Sequence, residues 1–235
     1  MSRLTIAVPS KGRLKEQTEA WLAGIGHPLR QIGGERGYTA EIAGLDAEVR
    51  LLSAREIAQG LIEGNLHFGV TGEDLLNDLS PDPAGDFRVL KRLGFGPADV
   101  VVAVPQAWFD VDTMADLEAA GAAFRKAHGR RLRVATKYLR LTRRYFAQKS
   151  VGEYRLVESA GATEAAPATG TADVIVDITT TGATLKANGL KILRDGVILK
   201  SEAAFATSAR AQFSPSAAAA RAVLTGALSQ GDHDF

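Results

Sequence analysis

The stretch DITTTGATL, residues 177–185, holds four threonines and one glycine directly after the apolar run ADVIV. A β-branched run extends a strand, whereas a glycine followed by helix-forming residues stops the strand, turns the chain and opens a helix. Such a turn aligns backbone N–H groups and threonine hydroxyls at a helix N-terminus, where the N–H groups lack intrahelical partners and the dipole is positive. Gly182 lets the backbone come close to a ligand. A phosphate monoester fits a nest of this kind without any lysine. Asp177 would repel a phosphate, and suits sugar hydroxyls one step before the nest. The other reading of the same residues is a threonine-capped helix with no ligand.

Cations recur at other points where chemistry is possible. SKGRL (10–14) sets Lys11 and Arg13 at a predicted helix start. They oppose the dipole there, so an anionic ligand accounts for them better than helix stability does. Arg36 lies in the glycine-rich GGERGYTAEI (33–42). ATKYLRLTRRY (135–145) combines Lys137, Arg140, Arg143 and Arg144 with the rings of Tyr138 and Tyr145. A nucleoside triphosphate with a stacked base suits that stretch, and single-stranded nucleic acid is the rival use. The formal net charge of +1 and the isolation of this dense segment argue against nucleic acid. The four histidines, His27, His67, His128 and His233, have no metal-ligand spacing, and no nucleophile or Walker-type motif is present. Phosphate sites and sugar acceptors without a nucleophile point to group transfer between two phosphorylated substrates.

The elements that must position these residues alternate. The 235 residues are 46% hydrophobic and 23% charged, enough for one large domain or two small ones. There is no cysteine, which excludes disulfides and thiolate metal sites. The first apolar run is too short for a signal peptide and no segment is long enough to span a membrane, so a cytoplasmic protein is expected. Strands are predicted at 4–8, 67–70, 99–105, 131–136, in YRLVES and in ADVIVD, with a hairpin around Leu45-Asp46. Helices are predicted at 12–26, 54–64, 72–79, 113–129 with a break near Gly121, 141–152, after Gly182, and at 214–228. Residues 80–86 read as a loop, and KILRDGVILKSEAAFAT as two strands around Asp195-Gly196. Alternation of this kind predicts an α/β fold with mostly parallel sheets.

Beneath it lies a weak internal repeat. TIAVPSKGRLKEQTEAWL resembles RVATKYLRLTRRYFAQ, and HFGVTGEDLL resembles VIVDITTTGATL. Each half of the chain thus carries one basic and one Thr-Gly strand-to-helix loop. Because ligands sit beyond the carboxyl ends of strands in such folds, four loops from two lobes would line one cleft.

The segment ESAGATEAAPATGTADVIVDITTTGATLKANGL resembles the phosphoribosyl-pyrophosphate signature of the ATP phosphoribosyltransferase family, with Glu164, Gly170, Asp173, Asp177, Thr181, Gly182, Thr184 and Leu185 in order. SKGRL, FGVTGEDLL and ATKYLRLTRRYF resemble the same family, so the likeness runs from about residue 4 to 205. The resemblance implies two lobes like type II periplasmic-binding proteins with the active site in the inter-lobe cleft: lobe I at 1–93, completed by 183–235, and lobe II at 94–182. It implies attack of N1 of ATP on C1 of phosphoribosyl pyrophosphate, with inversion, loss of pyrophosphate and help from Mg²⁺ held mostly by substrate oxygens and water. By position, Thr179, Thr180, Thr181, Gly182, Ala183 and Thr184 bind the 5′-phosphate and Asp177 the ribose hydroxyls. Lys11, Arg13 and Arg36 are the catalytic cations facing pyrophosphate or ATP phosphates. Lys137, Tyr138 and Arg140 are nucleotide-side candidates, and Glu164 and Asp173 stand behind the site.

Three positions depart from the family pattern: Leu139 replaces the proline of ATKYP, Ser53 stands where an arginine is common, and Gln59 where a proline is expected. The long form of the family carries a further C-terminal histidine-binding domain, for which residues 206–235 have no room. The resemblance is therefore to the short form, which works as a homodimer and in a hetero-octamer with a regulatory subunit resembling histidyl-tRNA synthetase. The alternatives are a non-catalytic two-lobed ligand-binding module and a phosphoribosyltransferase with another acceptor.

Overall fold

The computed structural model describes residues 3–32, 39–159 and 161–230. The chain divides into two compact units, one ending at Gly96 and resuming at Glu202, the other spanning Pro97–Ser201.

The first unit contains β1 (Leu4–Pro9), α1 (Gly12–Gly24), β2 (Leu29–Ile32), β3 (Thr39–Ile42), β4 (Ala47–Leu52), α2 (Ala54–Glu63), β5 (Phe68–Gly72), α3 (Glu73–Leu79), α4 (Pro83–Asp86) and β6 (Phe87–Arg92). It is completed by two later elements, β12 (Ala203–Ser208) and α8 (Pro215–Gln230). Its seven-stranded sheet has the order β2-β3-β4-β1-β5-β12-β6. The central strand β1 is buried along its whole length, with Thr5 its one polar side chain. On α2, Ile57, Ala58, Leu61 and Ile62 form one buried face. That helix packs so near the sheet that a Cβ at Gly69 would overlap Ile57 Cγ2. The alanines of α8 serve the same end: Ala217 and Ala220 let it lie close on the core that also holds Phe68 and Phe205, whose rings stack at 5.4 Å.

The second unit contains β7 (Asp99–Pro105), α5 (Met114–His128), β8 (Leu132–Thr136), α6 (Leu139–Gln148), β9 (Tyr154–Glu158), a 3₁₀ turn at Thr163–Ala165, β10 (Val174–Thr179), α7 (Ala183–Ala187) and β11 (Leu190–Leu199). Its sheet has five strands in the order β11-β7-β10-β8-β9.

Several expectations are corrected. The sheets are mixed: β1 runs parallel to β4 and β5, and β8 to β9 and β10, while the other pairs are antiparallel. Strands β2 and β6 at the two edges of the first sheet, and the single turn α4, were not legible. The return to the first unit comes at Glu202 instead of residue 183, because β11 pairs with β7 and keeps residues 183–201 in the second unit. Asp195-Gly196 is no hairpin turn. It sits at an irregularity within β11, where a Cβ on Gly196 would come 3.0 Å from the Val102 carbonyl oxygen. Helix α5 runs unbroken through Gly121, which is buried so close to Glu153 that a side chain there would come 3.1 Å from the Glu153 Cβ. Helix α6 starts two residues before its expected position and ends four residues early. No helix among the described residues is long and apolar enough to cross a membrane.

Candidate active site

The threonine-rich turn lies at the carboxyl end of β10, which is flanked by β7 and β8. Val174, Ile175 and Val176 are buried and fix the strand. Gly182 adopts φ 75°, a left-handed conformation that closes the turn and starts α7. Two threonines hold the turn in shape: Gly182 N–H donates to Thr179 Oγ1 at 2.8 Å and Ala183 N–H to Thr181 Oγ1 at 3.3 Å. The Thr180 hydroxyl donates to the Pro97 carbonyl at 3.0 Å. The hydroxyls are therefore not all spare, as a bare nest would have them. Thr179 and Thr181, as acceptors in these bonds, keep their own O–H to donate.

A cavity of about 330 Å³ opens on this turn and is lined by Glu164, Asp177, Thr179, Thr180, Thr181 and Thr184, among others. A second groove of about 760 Å³ is larger but is walled mainly by alanines and aromatics beside α5, with no hydroxyl side chain. Size alone would favour the groove. The chemistry favours the smaller cavity, where four threonine hydroxyls converge beside Asp177 and Glu164.

Asp177 is half-buried, and its Oδ1 accepts from Ile178 N–H at 2.8 Å. Burial pushes its pKa up; the Ile178 N–H and the Lys137 charge act downward, and the Glu164 charge pushes it up again, so the net displacement is upward. The strand register explains the neighbour. β8 and β10 pair as Val174 with Val134, Ile175 with Ala135 and Val176 with Thr136, so one step further sets Asp177 beside Lys137. Lys137 Nζ lies 5.0 Å from the centre of the Tyr138 ring. Lys137, expected on the nucleotide side, follows β8 next to the end of β10 that carries Asp177. That neighbour was not legible in the sequence because it depends on the register between two distant strands.

Tyr138 itself is only 1% exposed and belongs to the core with Val134, Leu141, Phe146 and Val176. Its ring is not available to stack on a base. Tyr145 likewise turns inward and donates its hydroxyl to the Asp195 carbonyl. Arg140 is exposed at the start of α6. Lys11 and Arg13, at the start of α1, are exposed and form no ion pair among the described residues. Arg36 lies outside the described residues. No group of three or more acidic or histidine side chains able to hold a metal occurs among the described residues.

The sequence matches the family described as "HisG: ATP phosphoribosyltransferase" over residues 53–225. It is 59% identical over 206 residues to an ATP phosphoribosyltransferase of Caulobacter vibrioides, covering 87% of this chain and 64% of that protein. It is 54% identical over 224 residues to the ATP phosphoribosyltransferase of Mesorhizobium japonicum, covering 94% of this chain and 97% of that one. This chain belongs to the ATP phosphoribosyltransferase family. The ATP phosphoribosyl transferase (HisG:HisZ) complex from Thermotoga maritima matches its fold with a TM-score of 0.70 at 24% identity, over 98% of this chain and 96% of that one. The periplasmic aliphatic sulphonate-binding protein SsuA of Escherichia coli matches with a TM-score of 0.52 at 18% identity, over 99% of this chain and 72% of that one. The α/β fold is thus the one expected, shared with periplasmic binding proteins.

Among the departures from the family pattern, Ser53 has a local purpose. It caps α2, accepting from Glu56 N–H at 3.3 Å while Glu56 Oε2 accepts from Ser53 N–H at 2.9 Å. Gln59 donates to Glu63 Oε1 at 2.8 Å along the same helix, and Leu139 is the first residue of α6.

Asp173, a residue of the family signature, does not stand behind the cavity. It precedes β10, at the opposite end of that strand from the threonine turn. There it accepts from Arg130 Nη1 at 2.7 Å and Arg133 Nη2 at 3.1 Å. Burial raises its pKa, but the hydrogen bonds from both guanidinium groups outweigh burial and hold it well below the ordinary carboxylate range. A depressed carboxylate contributes stability above its unfolded pKa and loses it as pH falls through the folded one. Asp173→Asn is therefore expected to cost about 2 kcal/mol at neutral pH, the scale of hydrogen bonds to charged groups. The gap to wild type should narrow in strong acid. Urea midpoints at the two pH values check this, and a gap that persists undiminished in acid rejects the charge account.

Proposed function

We propose that this chain transfers the 5-phosphoribosyl group from phosphoribosyl pyrophosphate to N1 of ATP, with inversion at C1 and release of pyrophosphate, as the first step of histidine biosynthesis. The observation that carries this reading is the 54% identity to an ATP phosphoribosyltransferase over 97% of that protein's length. The cavity lined by Asp177, Glu164 and the threonines supports it from the chemical side.

In the reaction the C1–O bond to pyrophosphate breaks and an N1–C1 bond forms. Adenine N1 has a free lone pair, so no general base is required. The protein's part is to hold two polyanions in line and to stabilise separating charge. In this reading the hydroxyls of Thr179, Thr181 and Thr184 and the N–H groups of the turn take the 5′-phosphate, and Asp177 and Glu164 take the ribose hydroxyls. Lys11, Arg13 and Arg36 serve the polyphosphates, with Arg140 on the nucleotide side. Mg²⁺ suits this donor set: it is usually held by one or two carboxylates together with substrate phosphates, and Asp177 and Glu164 are the carboxylates that line the cavity. When bound, it would neutralise charge on the departing pyrophosphate. Both substrates are cytoplasmic metabolites, so the reading implies a cytoplasmic enzyme. The Thermotoga maritima match is a HisG:HisZ complex, which supports a partner subunit; in this reading that partner is regulatory, resembles histidyl-tRNA synthetase and joins paired catalytic chains in a hetero-octamer.

The decisive experiment mixes the chain with ATP, phosphoribosyl pyrophosphate and Mg²⁺, with and without such a partner, and follows the ultraviolet absorbance of the N1 adduct. Absence of adduct under both conditions refutes the reading. Thr184 supplies a finer check. It lines the cavity, and its hydroxyl has no hydrogen bond among the described residues. Thr184→Val keeps the shape and is expected to weaken phosphoribosyl pyrophosphate binding by about 1–3 kcal/mol, with ATP binding far less affected. Equal losses for both substrates in calorimetry would remove Thr184 from the phosphate site.

A further inference from the structure

We propose that Thr180 is a positioning residue of the phosphoribosyl site, its hydroxyl tying the threonine turn to Pro97 so that 5′-phosphate and ribose meet their partners at one fixed spacing. This deepens the phosphoribosyl reading above and rests on it. The pairing of β7 with β10 shows why a side chain is needed at this point. Asp177 pairs with Val101, Ile178 with Val100 and Thr179 with Asp99, and there the ladder ends. Beyond it the chain leaves the sheet for the turn, and the link between the two segments passes from main chain to side chain. Thr180 Oγ1 donates to the Pro97 carbonyl at 3.0 Å, across 83 residues of sequence.

The acceptor is itself held. The Pro97 carbonyl and the Ala98 N–H belong to one planar peptide unit. While the carbonyl accepts from Thr180, the N–H donates to the Ser201 carbonyl at 2.8 Å. Ser201 is buried, and Pro97 and Ser201 are the first and last residues of the second unit. One peptide therefore ties the turn to the place where the chain both enters and leaves that unit. Ala98 and Thr180 line the same cavity as Asp177 and Thr184, so the bond sets where the turn stands in the cavity wall. Thr180 differs in this from its neighbours. The bonds of Thr179 and Thr181 stay inside the turn, and each of those hydroxyls accepts and keeps its proton. The one proton of Thr180 is committed to Pro97, so phosphate must be met by the other hydroxyls and the N–H groups of the turn. Without the bond the turn is free to shift relative to Asp177, while its own donors stay in place. Phosphate alone then binds as before. A ligand that must reach both the turn and Asp177, and a transfer that needs C1 in line, both suffer.

The test compares Thr180→Val, which keeps the shape and removes the donor, with Thr180→Ser, which keeps the donor. Thr180 is exposed, so neither variant opens the core. The carbon-13 shift of the Pro97 carbonyl, observed through the Ala98 N–H, reads the bond directly. It should move in Thr180→Val and return toward wild type in Thr180→Ser. Calorimetry with inorganic phosphate and with ribose 5-phosphate reads the consequence for binding. Thr180→Val should leave the Kd for phosphate unchanged and raise that for ribose 5-phosphate about three- to tenfold, the scale of one hydrogen bond. Single-turnover formation of the N1 adduct at saturating substrates should slow about 10- to 100-fold, since a small misplacement of reacting atoms is costly. Thr180→Ser should stay close to wild type in all three measurements. A Pro97 carbonyl that does not respond to Thr180→Val overturns the proposal, and so does an unchanged affinity for ribose 5-phosphate. An equal loss for phosphate and ribose 5-phosphate overturns it as well, and would make Thr180 a direct phosphate donor. If the wild-type chain forms no N1 adduct while Thr180→Val still separates ribose 5-phosphate from phosphate, transfer to ATP fails and the positioning role stands. A wild-type chain that binds neither ligand overturns both.

Discussion

Asp177→Asn is expected to lower the single-turnover rate of phosphoribosyl transfer by about 10²–10³, the loss seen when one preorganised electrostatic group is removed. The substitution keeps the side chain's size and an acceptor oxygen but removes the charge. Transfer at a sugar C1 passes through an oxocarbenium-like state, in which positive charge develops on the ring. A carboxylate beside the ribose stabilises that charge more than it stabilises the ground state, so the loss should fall on the chemical step. Phosphoribosyl pyrophosphate affinity should fall less than the rate. A higher KM with an unchanged single-turnover rate would instead make Asp177 a uniform binding group. The pH dependence adds an independent check. Burial raises the Asp177 pKa, against the pull of Ile178 N–H and Lys137, so as pH falls the active carboxylate is lost earlier than an ordinary aspartate would be. The wild-type rate should show that acid limb, and Asp177→Asn should lack it.

The turn after Asp177 was legible because every local signal agreed. A Val-Ile-Val run ends in threonines, and a glycine follows where the backbone must turn left-handed before α7. Long-range pairing was less legible. Asp195-Gly196 carries the sequence chemistry of a tight hairpin, yet β11 passes through it because both flanks pair with β7. The mixed order of the sheets has the same origin: β12 follows β11 by only three residues in the chain but lies between β5 and β6 in the other sheet. Asp173 and Asp177 read alike as acidic residues around one strand. Their separation to opposite ends of β10 gives one two arginines and the other a cavity. Arg130 and Arg133 lie 43 and 40 residues from Asp173, beyond the reach of local pattern.

Tyr138→Ala should be the most destabilising of these changes, for a reason opposite to the one its sequence context suggests. Between Lys137 and Arg140 a tyrosine reads as a platform for a base. In the structure it is 1% exposed and fills the centre of the second unit's core. Its backbone also starts α6: its N–H donates to Thr136 Oγ1 at 2.9 Å and its carbonyl accepts from Thr142 Oγ1 at 2.6 Å. Alanine preserves those bonds and removes the ring, so the cost is that of emptying a core site, about 3–5 kcal/mol. That is a large share of the total stability of an ordinary domain, about 5–15 kcal/mol. The two units need not unfold together, so the signal must come from the right one. The chain has two tryptophans, Trp21 in the first unit and Trp108 in the second. In a Trp21→Phe background, Trp108 fluorescence reports the unit that holds Tyr138, and its urea midpoint should drop sharply in Tyr138→Ala. ATP affinity, measured below the transition, should stay close to wild type. A base-stacking role predicts the reverse pattern, an unchanged midpoint and ATP binding weaker by about 1–3 kcal/mol. That pattern would return Tyr138 to the nucleotide side.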